Sequence, residues 1–194
     1  TPQGLYYGTE YTEEMINAAL RSEDPLQIVP SVDTDGHGTF VASAAAGGAE
    51  VGKRFLGAAP EASIAMVKLK PAKNYLKEFF AIAQDAVCYQ ENDIMLGLRY
   101  LNDLARKQGM PLVICVALGT SFGGHNGDSL LADILDIYAT VRNRCVVVGT
   151  GNEAARRHHY FNRFTDAQDM RTAEIRVGEG TQSFAVELWS TLPN

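Results

Sequence analysis

Residues 33–47 read "DTDGHGTFVASAAAG", with a histidine between two glycines at the mouth of an alanine-rich run. Gly36 and Gly38 supply no packing surface, so the setting is poor for a core histidine and good for one held at the edge of a site. Taken alone, His37 stays open between a catalytic or ligand histidine and a tightly packed turn residue. Gly38 to Ala46 reads as a helix of small side chains that could lie very close to a neighbour.

Outward from this stretch the chain alternates between helical and strand patterns. "YTEEMINAAL", 11–20, reads as a short helix capped by Thr12, with Glu13 and Glu14 in its first turn. "ASIAMVKLK", 62–70, is a strand candidate. From Asn92 to Gly109 the apolar positions Ile94, Leu98, Leu101 and Ala105 follow helical spacing, and Gly109 is the natural stop. "PLVICVALG" reads as a strand buried on both faces. Leu131, Ile134, Leu135, Tyr138 and Val141 mark the next helix, and "CVVVGTGN" is another buried strand that ends in glycines. This order predicts an α/β fold, a parallel sheet flanked by helices, with ligands at the carboxyl ends of the strands.

The last forty residues differ in kind. "RRHHYFNRF" is basic and aromatic, and "AEIRVGEGTQSFAVELW" then alternates apolar and polar residues with period two. That is the pattern of antiparallel strands with one solvated face. The expected division is therefore a first domain over 1–165 and the start of a β-rich module over 170–194. The chain opens "TPQGLYYG" and stops at "WSTLPN", which reads as a piece cut from something larger.

Composition narrows the function classes. The net charge of −6 argues against nucleic acid as partner, because phosphate binding wants a basic face. No apolar run approaches the ~18 residues of a membrane span, and the first residues show no signal pattern. Cys88, Cys115 and Cys145 lack metal-ligand spacing and read as reduced, buried residues.

The candidate chemistry lies in the loops after the strands. In "CVVVGTGNEAA" the Asn152 amide reads either as a donor aimed at an oxyanion or as a helix N-cap. Adjacent His158 and His159 read as a solvated loop rather than a metal site, and the Arg156–Arg157 pair likewise as solvated. His125 sits in a glycine-rich loop with Asp128, which reads as the cap of the following helix.

Taken together and in order, "DGHGTFVASAAAG", "GAAPEASIAMVKL", "LVICVALGTSFGG" and "VVVGTGNEA" resemble the subtilisin-like serine proteases, the subtilases. "YYGTEYTEEMINAAL" and the β-rich segment after Asn152 are most similar to the clostridial germination protease subgroup, which carries a jelly-roll-type β domain inserted after the asparagine. The resemblance implies a subtilisin-like three-layer sandwich and the hydrolysis of peptide bonds. It implies that His37 is the general base, that Asn152 stabilises the tetrahedral intermediate, and that Ala117, Leu118 and Gly119 offer main-chain groups to an extended peptide. Activation of a proenzyme substrate and a bacterial, spore-associated setting are carried by the same resemblance, and the residues assign no compartment.

The pattern departs from the family at several places. Phe40 stands where many members have a second histidine, Ala117 replaces the usual serine, and Gly149–Thr150 replace an Ala-Ala pair. A triad in the order Asp, His, Ser needs an acid upstream of His37 and a nucleophile downstream of Asn152. Asp33, in "DTDG", mimics the aspartate motif but lies only four residues before His37. Ser121, in "GTS", mimics the serine motif but precedes Asn152 and lacks the following helix with its proline. The expectation is that neither the catalytic aspartate nor the serine is in these 194 residues, so that the fragment alone is inactive. No cofactor is implied. Subtilases often bind structural calcium, but no loop shows a ligand series and no calcium residue is assigned. Two other readings remain: a pseudoprotease that serves as a binding or signalling module, and a doubly wound α/β domain that binds an anion. The second lacks any phosphate-cradling loop.

Overall fold

A computed structural model describes residues 1–48 and 55–190. The chain forms two compact units, Thr1–Lys68 and Leu69–Asn194. The boundary expected near 165–170 falls within the second unit.

The first unit holds helix α1 (Glu13–Leu20), a 3₁₀ turn (Pro25–Gln27) and helix α2 (His37–Ala46). The Thr12 side chain caps α1 by accepting from Met15 N–H, as the sequence predicts. Helix α2 begins at His37, one residue before the predicted start, and none of its residues is buried. Its placement therefore depends on what holds its ends.

At the C-terminal end a strip of main chain runs alongside the last turn. Gly57 N–H donates to Gly47 O at 2.9 Å, Ala58 N–H to Ala44 O at 3.1 Å, and Ala59 N–H to Ala45 O at 2.8 Å. These bonds satisfy carbonyls that a helix end otherwise leaves to water. The approach is so close that a Cβ on Gly57 would fall against Gly47 N and 2.8 Å from Ser43 O. The small side chains of α2 thus serve the close neighbour anticipated from sequence, and that neighbour is the Gly-Ala-Ala-Pro segment. The predicted strand over 62–70 makes no ladder. A strand needs a paired edge to close its hydrogen bonds, and this unit contains no described strand to pair with.

The second unit holds α3 (Asn74–Phe79), α4 (Glu91–Gln108), β1 (Leu112–Val116), α5 (Leu130–Thr140) and β2 (Arg144–Val148). Strands β1 and β2 pair in parallel, with Val113 opposite Cys145, Ile114 opposite Val146 and Cys115 opposite Val147. Helix α5 is the crossover a parallel pair requires. Gly109 ends α4 at φ +67°, the left-handed conformation that glycine adopts without strain. Ser129, rather than Asp128, caps α5 by accepting from Ala132 N–H at 3.1 Å. Asp128 instead accepts from Asn126 Nδ2 at 2.6 Å.

Helices α4 and α5 pack on each other, α4 also on β1 and α5 also on β2. Ile114 is buried at 2 % exposure, whereas Val113 is 68 % exposed. The strands are thus covered on one face and not, as predicted, on both. Cys115 and Cys145 share the open face with Val113 and are exposed, and Cys88 is half-buried. All three are free thiols, as expected, but they are not core residues, since the strand face that carries Cys115 and Cys145 stays open among the described residues. The period-two segment after residue 170 likewise carries no ladder through residue 190, with Ile175, Val177, Phe184, Val186 and Leu188 all exposed.

Helix α3 and its role were not legible in the sequence. Lys77, on α3, is buried, and its Nζ donates to Gln84 O at 2.8 Å and Ala86 O at 2.7 Å. It pins the loop that follows the helix.

Gly57→Ala is expected to destabilise the first unit by about 1–3 kcal/mol, the usual cost of overpacking against unyielding neighbours. Thermal unfolding followed by far-UV circular dichroism checks this, and an unchanged midpoint would contradict the close approach.

Candidate active site

His37 sits at the first position of α2 and is exposed. The turn before it is closed by two carboxylates. Asp35 Oδ1 accepts from His37 N–H at 3.2 Å. Asp33 accepts from the main chain at Gly36 and Thr39 and from the Thr39 hydroxyl. These bonds, the Thr39 hydroxyl foremost, hold the Asp33 carboxyl far below the usual carboxylate range. Sequence reasoning weighed Asp33 only as a mimic of a triad acid. The signal for its actual place was the ordinary preference for aspartate just ahead of a helix.

The second unit brings together the other predicted residues. Ala117, Leu118 and Gly119 follow directly on β1, and Gly149 to Asn152 follow on β2. The two segments leave the sheet side by side. Gly149 N–H donates to Val116 O at 3.2 Å, and a Cβ on Gly119 would lie 3.5 Å from the Gly151 Cα. Gly151 takes φ +81°, a sharp left-handed turn immediately before Asn152. No helix starts after Asn152 among the described residues, so the N-cap reading has no helix to serve. Its amide sits exposed at the carboxyl end of the sheet, where an α/β fold places ligands.

Beside these strand ends lies a pocket of about 390 Å³, bounded by Thr120, Phe122 and His125 of the loop after β1, the cap residue Ser129 and Ala132 of α5, and Val148 of β2. His125 Nε2 donates to Ser121 O at 3.1 Å, and its ring stacks on that of His159 with centroids 4.3 Å apart. His158 instead points its Nδ1 at Glu153, 3.2 Å away, and Arg156 pairs with the same carboxylate at 3.4 Å. The two adjacent histidines thus serve different partners. No group of three His, Cys, Asp or Glu side chains that could hold a metal lies together among the described residues.

One tie from the C-terminal segment went unseen in the sequence. Glu187 Oε2 accepts from Gly123 N–H at 2.8 Å and from Trp189 Nε1–H at 3.0 Å. The Trp189 ring lies against Gly124, whose added Cβ would be 3.5 Å from Trp189 Cδ2. The segment that reads as antiparallel strand therefore braces the loop that borders the pocket. Nothing local in the sequence marks a contact spanning 64 residues.

Comparison with known proteins follows this geometry. Residues 9–177 match the Peptidase S8 subtilase family. A solved structure of the CspB protease of Clostridium perfringens is similar over 75 % of this chain, at 35 % identity and a TM-score of 0.66. This chain spans 29 % of the length of that protease. No curated protein matches.

The Gly123 N–H, ahead of the Trp189 indole, lowers the Glu187 carboxyl below its usual range. A carboxyl depressed in the folded state contributes fully above its unfolded pKa and loses that contribution as pH falls through its folded value. The tie should hold at neutral pH and release only below the ordinary glutamate value of about 4.3. Emission from Trp189, the single tryptophan, should report that acid transition, and Glu187→Gln should remove it. The same transition in the variant would contradict the tie.

Proposed function

Because this chain belongs to the subtilase family, we propose that it supplies the general base and the oxyanion donor of a longer serine endopeptidase. Placement of Asn152 at the glycine turn after β2, next to Ala117–Gly119, is the observation that carries the reading.

The division of labour follows from the residue types. A serine hydroxyl is a weak nucleophile until a base takes its proton as it attacks the peptide carbonyl. His37 takes that proton and returns it to the leaving amine, a role worth about 10²–10⁴ in rate. The carbonyl oxygen becomes an anion in the tetrahedral intermediate. The Asn152 amide N–H₂ donates to that oxygen, and such a bond forms fully only as the charge develops. Ala117, Leu118 and Gly119 pair with the substrate backbone as an added strand, which holds the scissile bond in place.

The nucleophile and the orienting acid belong to parts of the protein outside this chain. In isolation His37 has no serine to activate, and the 194 residues do not hydrolyse peptides. Asp33 does not serve as the acid, since both its oxygens are taken up by the turn and by Thr39. Ser121 does not serve as the nucleophile, because it precedes the asparagine on the loop bordering the pocket.

Two experiments test this. A fluorophosphonate probe, which captures only an activated serine, should label the full-length protein and fail to label its His37→Ala variant. Asn152→Ala should lower kcat by about 10²–10³, a magnitude measured on a subtilisin itself. A folded full-length protein that takes no label would favour a pseudoprotease. Labelling of the isolated 194-residue chain would overturn the exclusion of Ser121.

A further inference from the structure

The contacts of Asp33 straddle His37. Oδ1 accepts from Gly36 N–H at 2.8 Å and Asp35 N–H at 3.2 Å. Oδ2 accepts from Thr39 N–H at 3.0 Å and from the Thr39 hydroxyl at 2.6 Å. One carboxylate thus joins the residue before His37 to the residue two after it. At the first of these anchors Gly36 takes φ +90°, which a side chain would strain. No residue of α2 is fully buried, and these hydrogen bonds hold the start of the helix. The direction of the Cα–Cβ bond at His37 is set by this turn.

The ring nitrogens of a histidine lie beyond three rotatable or rigid bonds from its Cα. A small rotation of the first helical turn therefore becomes a large displacement at the atom that must meet a hydroxyl. A misplacement of about 1 Å can cost roughly 10²-fold in rate.

We infer that Asp33 is a positioning residue, whose carboxylate clamps Gly36 to Thr39 and so aims the His37 imidazole. The inference rests on the reading of His37 as general base. Asp33 touches neither substrate nor reacting atoms and acts wholly through the turn. Thr39 is its working partner, since its main chain and hydroxyl both donate to one oxygen. The family of contacts also explains why the triad-like "DTDG" run sits where it does: it builds the approach to the histidine.

The test uses the full-length protein with Asp33→Asn, Thr39→Val and Thr39→Ser. Asparagine keeps the shape but turns an N–H₂ toward one pair of donors. Valine keeps the branching of threonine without the hydroxyl, and serine keeps the hydroxyl. Asp33→Asn and Thr39→Val should each lower kcat by roughly 10- to 100-fold with KM unchanged. Their combination should be no worse than either alone, and Thr39→Ser should retain kcat. Unchanged kcat in the folded Asp33→Asn and Thr39→Val proteins overturns the inference. So does an equal loss in Thr39→Ser and Thr39→Val. If the unaltered full-length protein shows no turnover at all, the protease reading fails instead. The His37 ring resonances then decide the inference: a shift in Asp33→Asn supports the clamp, and no shift overturns it.

Discussion

The placement of helix α2, which begins at His37, depends on hydrogen bonds at its two ends more than on a buried face. Most helices in proteins are placed by an apolar face against a core. Helix α2 has no buried residue, and its side chains are mostly alanine, glycine and serine. What fixes it is a carboxylate clamp at its N-terminus and a strip of main chain along its last turn. The two devices come from the first two family landmarks, the His-Gly-Thr run and the Gly-Ala-Ala-Pro run. Each therefore reads as half of one support rather than as a separate signature. The anion at the N-terminus also faces the positive end of the helix dipole, so electrostatics and geometry agree.

The second unit places its groups differently. There the carboxyl ends of two parallel strands carry the glycine-rich turns, which run side by side, and the left-handed φ of +81° at Gly151 suits glycine. The sheet supplies the rigid floor, while the loops carry the chemistry. Glu187 and Trp189 reach back from the C-terminal segment to hold the loop beside the pocket. A segment that lies beyond the strands in sequence thus controls the wall of the pocket. This gives the β-patterned stretch a use before any strand pairing is considered.

What was legible in the sequence follows from how local each signal is. Thr12 as a cap, Gly109 as a stop and the paired runs around Ile114 and Val146 depend on neighbours a few residues away, and they were readable. The cap of α5 moved by one residue, from Asp128 to Ser129, because two good capping residues stand side by side and only the backbone decides between them. The depth of burial was not readable. Continuous apolar runs imply cover on both faces, yet Val113, Cys115 and Cys145 lie open because cover comes from other elements. The same holds for Ile175, Val177, Phe184, Val186 and Leu188, whose alternation specifies a strand but not its partner. In the candidate site, the place of Asn152 at a strand end was legible from the glycine pattern, whereas Ala117–Gly119 came from the family resemblance and lie just beyond the strand that was read through them. The Glu187 brace was not, since it joins residues remote in sequence. Asp33 was set aside as a mimic of the triad acid, and its place as a helix clamp went unread because both uses take the same residue type.

Active-site alkylation tests the central claim, that His37 is the base of the reacting site, most directly. A peptide chloromethyl ketone binds as a substrate does and alkylates the imidazole that lies at the scissile bond. The full-length protein should be treated with it and the modified residue mapped by mass spectrometry. Only four histidines in this chain can compete: His37, His125, His158 and His159. The account predicts a single alkylated residue, His37, with protection by competing substrate. Modification at His125, His158 or His159 in its place, or no modification of His37 in a protein that cleaves peptides, would contradict it.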